Sequence, residues 1–285
     1  MPAQLYALGA IALWVSVASL GVLLAHLPPF LLTGVSLLIG GLLALPQVLR
    51  DPQQWRIPLS TLALGIYGLF GYHFMLFMAL RLAPAVEANL INYLWPLLMV
   101  VLAPVLLKNM QLRAVHLGAA LLGFGGAALA ILGTGGHTAG LPATGGVGAM
   151  GGYLAALAAA FMWSSYSLLT QRVAAFPTAA IGLFALVSGM LSLLCHWALE
   201  APTPLSSRDM LLLGLMGLGP LGGAFFLWDK ALKLGDARQI GILSYLTPLG
   251  STALLIVVTG RQWSWGIGLA AGMIMAAAVL GTRAR

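Results

Sequence analysis

The chain has 285 residues, 61% of them hydrophobic and only 7% charged, with a formal net charge of +7. A soluble domain keeps its surface in water with about a quarter of its residues charged. Thirteen Lys and Arg with six Asp and Glu cannot solvate a chain of this length, so a soluble globule is excluded. The single Cys excludes a disulfide scaffold and a cysteine zinc cage. The basic residues fall singly between apolar runs, which is loop charge in a membrane protein and not a nucleic-acid patch.

Apolar stretches of about 20 residues cross a bilayer core as helices. In chain order the sequence predicts ten: Leu5–Ala25, Phe30–Leu49, Leu59–Leu80, Pro84–Leu107, Val115–Leu132, Gly148–Thr170, Thr178–Leu199, Met210–Leu232, Ala237–Thr259 and Trp263–Thr282. Pro28, Pro29, Pro46, Pro52, Pro58, Pro142, Pro177, Pro202 and Pro204 cluster around the gaps as helix breakers do. The longest connector, Gly133–Val147, has His137 as its one ionisable side chain. Met1-Pro2-Ala3-Gln4 lacks a basic leader region, so the first stretch reads as a span and not as a cleaved signal. With both termini on one side, that side receives Arg50, Arg56, Lys108, Arg113, Arg172, Lys230, Lys233, Arg238, Arg283 and Arg285, against Arg81, Arg208 and Arg261 on the other. The bias predicts cytoplasmic termini in a multi-pass protein with the lipid bilayer around it.

The chain also repeats itself. Ala79–Leu97 recurs 152 residues later as Ala231–Leu249, with eight of nineteen positions identical. Trp14, Ser16 and Pro28 match Trp163, Ser165 and Pro177 at an offset of 149, and Gly65 and Gly71 match Gly217 and Gly223 at 152. Each half then holds five spans, and an odd number inverts the second half in the membrane. The expected fold is an all-α membrane protein of ten transmembrane helices, as two inverted five-helix repeats around a central cavity. Such a pair can present one site to either side in turn.

The segments ALRLAPAVEANLINYLWPLL and DKALKLGDARQIGILSYLTPLGSTALL resemble the two copies of the EamA-type repeat, which defines the ten-helix branch of the drug/metabolite transporter superfamily. The resemblance covers essentially the whole chain. It implies a first repeat over 1–135, a connecting loop over 136–147 and a second repeat over 148–285, with a cavity lined by the first, third, fourth, sixth, eighth and ninth helices.

Enzymatic motifs are lacking in the sequence. There is no G-x-x-x-x-G-K-[ST], H-E-x-x-H or G-x-S-x-G, and the G-x-G-x-x-G match at Gly217–Gly222 lies within an apolar span. No cofactor and no metal are expected. None of the six carboxylates sits clearly at a span centre: Asp236 reads as a first-turn helix stabiliser, Glu87 as a helix-end stabiliser or a binder of a substrate amine, and Asp229 as paired with Lys230 at the interface.

Aromatic and amide groups occupy the middle of the spans instead. Trp14 and Trp163 are repeat-related and about ten residues into their helices, as cavity lining or as lipid-facing packing; Tyr166 lies near the Trp163 face. Tyr72 and His73 offer a carboxylate-binding or pH-sensing pair, with a His bonded to a neighbouring carbonyl as the plainer alternative. Asn89, Asn92 and Tyr93 precede Pro96, and Ser244 and Tyr245 precede Pro248; matched kinks in two halves point to a transport site, or merely bend helices around the bundle. Trp95 reads as turned away from Asn92, and Phe74, Phe77, Met75 and Met78 as packing. These groups suit a zwitterionic solute with an apolar part, which predicts a secondary transporter exporting aromatic or other apolar amino acids and related metabolites. A multidrug or general metabolite exporter would use the same groups through cation–π contacts. A membrane-embedded enzyme and a structural scaffold are the alternatives from other classes. A monomer suffices for the transport reading.

Overall fold

The computed structural model describes residues 2–108, 110–133, 147–259 and 265–283, all helical or in turns, with no strand among them. Residues 136–146 of the expected connector, His137 within it, and Arg261, Trp263 and Arg285 lie outside the described residues. In chain order the helices are α1 (Ala3–Val15), α2 (Val17–Leu23), α3 (Pro29–Gly41), α4 (Leu45–Arg50), α5 (Leu59–Ile66), α6 (Tyr72–Leu82), α7 (Ala85–Asn92), α8 (Trp95–Leu106) and α9 (Ala114–Gly133). They continue as α10 (Val147–Leu169), α11 (Ala180–Leu199), α12 (Ser207–Leu218), α13 (Ala224–Leu234), α14 (Ala237–Leu243), α15 (Leu246–Thr259) and α16 (Trp265–Arg283). Single π-helical turns, Tyr67–Gly71 and Gly219–Gly223, join α5 to α6 and α12 to α13.

Among the described residues, eight stretches are long and apolar enough to cross a membrane: Ala3–Leu23, Pro29–Arg50, Leu59–Leu82, Glu87–Leu106, Ala114–Leu132, Ala149–Leu169, Ala180–Leu199 and Ser207–Leu234. They coincide with the first eight expected spans to within a few residues. The expected ninth is divided at Ser244–Tyr245 into α14 and α15, and Trp265–Gly281 is apolar but shorter.

Helix ends follow local chemistry. Pro29 opens α3, where its missing N–H costs nothing. A capping box between Ser206 and Asp209 starts α12, and Asp236 caps α14 through the Arg238 amide. Burial, the largest influence on Asp236, would raise its carboxyl, but hydrogen bonds and charge from Arg238 hold it below the usual carboxylate range. The Glu200 carboxylate accepts from the amides of Phe30 and Leu31 at 3.0 and 3.2 Å, so the end of α11 caps the start of α3.

Without a hydrophobic drive between helices in lipid, small residues let backbones approach. α3 packs on α11, α9 on α16, α6 on α10 and α1 on α13. In the α3–α11 contact Gly34 faces Leu193 and Gly189, while Gly182 faces Gly41. At the α6–α7 tip Gly152 abuts Ala83, and at the α13–α14 tip Gly235 abuts Ala3. A Cβ on Gly40 would meet the Gly217 carbonyl oxygen and the Gly222 Cα, each at 2.7 Å, whereas one on Gly272 would meet nothing within 4 Å. Gly40→Ala therefore lowers stability by about 1–3 kcal/mol through overpacking, while Gly272→Ala leaves it unchanged or higher. Unfolding midpoints of the two variants in detergent check this.

Candidate substrate site

The centre of the bundle is a cluster of aromatic rings. Trp14 of α1 and Trp163 of α10 meet edge to face with centroids 5.9 Å apart, so the indoles touch and do not flank an open space. Trp228 of α13 lies 5.1 Å from Trp14, and Trp95, at the start of α8, lies 5.6 Å from Trp228 and 6.3 Å from Trp163. Tyr72 and Tyr166 contact Trp163 at 5.3 and 5.5 Å, and Phe225 contacts both Trp14 and Trp163. Offset and edge-on geometries of this kind contribute about 0.5–1.5 kcal/mol per pair beyond burial.

Polar atoms at the edges fix the rings. Trp14 donates its indole N–H to the Pro220 carbonyl at 3.1 Å, an oxygen within the Gly219–Gly223 π turn, where the helical ladder is loosened. Trp228 donates to the Ser167 hydroxyl at 3.1 Å. Tyr67, in the other π turn, shares a 2.9 Å hydrogen bond with Ser165. Gly68 leaves room for the Tyr166 ring, where any side chain would collide.

His73 is buried beside Tyr72, with ring centroids 4.9 Å apart. Its Nδ1 lies 2.6 Å from the Leu69 carbonyl one turn back, the arrangement offered above as the plainer alternative. Donation there fixes the tautomer and leaves Nε2 as an acceptor. Asn92 donates to the Tyr72 hydroxyl at 3.4 Å, and its Oδ1 is buried with no partner among the described residues. An unpaired buried amide oxygen is costly.

The structure does not gather all the expected residues here. Tyr93 is half-buried at the C-terminal end of α7. Asn89 is half-buried on α7, and its side chain makes no hydrogen bond among the described residues. Ser244 spends its hydroxyl on the Gly241 carbonyl of its own helix, at 2.5 Å. Tyr245 packs with Ala127 and Ile274, against α9 and α16 and away from the rings. Pro96 and Pro248 are both buried. Each follows a helix interruption, at Tyr93–Leu94 and at Ser244–Tyr245, where backbone bonds shorten to the i−3 pattern.

Three ring residues escaped the sequence reading. Trp95 does not turn away but enters the cluster, because the break after Asn92 resets the helical phase. Phe225 and Trp228 stand at i, i+3 on α13; that spacing, and an indole N–H needing a partner in an apolar helix, were the available signals. The expected Asp229–Lys230 pair is also corrected. Asp229 is paired with Lys233 one turn on, at 2.6 Å, while Lys230 lies over the Tyr6 ring at 5.6 Å. On a helix, residues at i and i+1 diverge by 100° and those at i, i+4 meet.

A bundle of apolar spans with paired helix breaks and an uncharged aromatic centre defines a polytopic membrane transporter. The chain belongs to the EamA-like transporter family, whose sequence model matches residues 1–132 and 150–283. A protein of Ancylobacter novellus named aromatic amino acid exporter YddG is 37% identical over 289 residues, which is 98% of this chain and 96% of that protein. An Escherichia coli K12 protein of the same name is 25% identical, over 80% of this chain and 79% of its own length. A solved crystal structure superposes with a TM-score of 0.90 at 36% identity, covering 99% of this chain and 97% of the other.

Replacing Trp14 by Phe keeps the ring contacts but strips the Pro220 carbonyl of its donor. Loss of one such bond costs about 0.5–1.5 kcal/mol, and Trp228→Phe loses the Ser167 bond at a similar cost. Both variants are expected to unfold at lower temperature than the parent in the same detergent.

Proposed function

We propose that the chain is a secondary transporter that exports aromatic or other apolar amino acids across a bacterial inner membrane by alternating access. Its ten spans would be two inverted five-helix repeats, over 1–135 and 148–285, with both termini in the cytoplasm. Several observations support the inverted pair. The two π turns lie 152 residues apart, from 67 to 219 and from 71 to 223, at the offset of the sequence repeat. Under that offset α6 corresponds to α13 and, at 149, α1 to α10, so the α6–α10 contact and the α1–α13 contact exchange. The tip contacts Ala83–Gly152 and Gly235–Ala3 exchange in the same way. With both tips packed, each would act as the gate of one face.

The observation that carries the substrate class is the uncharged ring of Trp14, Trp95, Trp163, Trp228, Tyr72 and Phe225 beside the unpaired Asn92 oxygen. An aromatic side chain can exchange ring contacts with the cluster, and its ammonium group can donate to Asn92. The names of the relatives from Ancylobacter novellus and Escherichia coli support the same class.

Protein reconstituted in liposomes is expected to give saturable flux of Phe, Trp and Tyr, with none of Lys or Glu. A hydrogen bond to a charged group contributes about 1.5–3 kcal/mol, so Asn92→Leu is expected to cut kcat/KM for Phe by about 10- to 100-fold. Its stability should change little, because the unpaired oxygen is lost together with the 3.4 Å bond to Tyr72. Flux of planar cations with no amino-acid flux would replace this reading by that of a multidrug exporter.

A further inference from the structure

Below the aromatic cluster, on the face that carries Ala3 and Gly235, α13 holds a charge pair which the transport reading leaves unused. Asp229 is 3% exposed, an unusual position for a carboxylate in an apolar helix. Its Oδ2 accepts from Thr178 Oγ1 and from Lys233 Nζ, each at 2.6 Å, while its Oδ1 is buried with no partner among the described residues. Lys233 also donates to the Phe176 carbonyl at 2.9 Å and lies over the Phe176 ring at 4.0 Å. Lys233, Phe176 and Gln171 line an open cleft of about 590 Å³, roomy enough for an aromatic amino acid, and Gly235 of the α13–α14 tip borders it. The next residue inward, Trp228, belongs to the ring cluster.

An ion pair and an amino-acid zwitterion are chemical complements. The solute's carboxylate can take the place of Asp229 on the Lys233 ammonium, and its ammonium can take the place of Lys233 on Asp229, where Oδ1 already lacks a donor. The exchange leaves no charge unpaired, which matters because a lone buried charge is strongly disfavoured. We propose that the Asp229–Lys233 pair is the boarding site for the α-ammonium and α-carboxylate of a zwitterionic amino acid, on the Lys233 face of the transporter. The proposal rests on the amino-acid transport reading. The same lysine ties α13 to the 176–178 turn, which places the site where that turn meets the α13–α14 tip.

The test is kinetic and specific to one face. Oriented liposomes allow KM for Phe to be measured with solute presented at either face. Lys233→Met and Asp229→Asn are each expected to raise KM at the Lys233 face by about tenfold, the loss of one charge-assisted hydrogen bond, with KM at the opposite face within about twofold of the parent. Lys233→Arg restores it. A brace alone would change kcat, or both KM values equally, and that result overturns the proposal. Should the variants fail to fold, the parent protein is assayed with phenylalaninamide, which lacks the carboxylate. Its KM should exceed that of Phe chiefly at the Lys233 face, and an equal change at both faces again overturns the proposal. A parent that carries no aromatic amino acid defeats the transport reading itself; a parent that carries them without any face-specific effect defeats only the boarding site.

Discussion

A backbone inside hydrocarbon must close every amide and carbonyl on itself, yet a solute path needs polar atoms that are not closed. The two demands meet at a few positions in this chain. The helical ladder is relaxed at the π turns Tyr67–Gly71 and Gly219–Gly223 and interrupted at Tyr93–Leu94 and Ser244–Tyr245. One of the relaxed turns offers the Pro220 carbonyl to the Trp14 indole, which anchors the central ring cluster. Smaller interruptions fall at Ser16, between α1 and α2, and at Leu42–Ala44, between α3 and α4, and the helices are drawn together by glycine and alanine, as at Gly34, Gly182 and Gly189.

The centre combines a large apolar surface with sparse polarity. Trp14, Trp163 and Trp228 can exchange contacts with one another for contacts with a solute ring at little net cost, because both are edge-on or offset aromatic pairs. In the proposed transport reading, specificity falls to unpaired polar atoms beside the rings. Asn92 Oδ1 is one such atom within the cluster, and Asp229 Oδ1 is another beneath it. Both are buried acceptors, and both suit the ammonium end of an amino acid.

Much of this was legible in the sequence, because strong signals and strong physical constraints coincide. Apolar length marked the first eight spans, and the paired segments around Tyr93-Leu94-Trp95-Pro96 and Tyr245-Leu246-Thr247-Pro248 marked the two breaks. The equivalence of the two motifs misled at Ser244 and Tyr245, where symmetry in sequence did not carry to symmetry in contact: Tyr245 packs against α9 and α16, whereas Asn92, beside Tyr93, bonds to Tyr72. Helical periodicity gives the angle between residues on one unbroken helix. It could not place Trp95, which lies beyond a break, nor say which neighbour the Phe225–Trp228 face meets. The π turns left only their glycines as a trace. Asp229 was assigned to its sequence neighbour Lys230 when helix geometry favours Lys233, a pairing the i, i+4 rule could have supplied.

Alternating access as proposed needs two tips that open in turn, Ala83 against Gly152 and Gly235 against Ala3. The most direct measurement uses two cysteine pairs, Ala83→Cys with Gly152→Cys and Ala3→Cys with Gly235→Cys, each in a Cys195→Ser background. Flux of labelled Phe through liposomes is followed before oxidation, after it and after reduction. Alternation at these tips predicts that closing either pair alone stops flux and that reduction restores it. Flux that continues at the parent rate with either tip cross-linked would contradict the account.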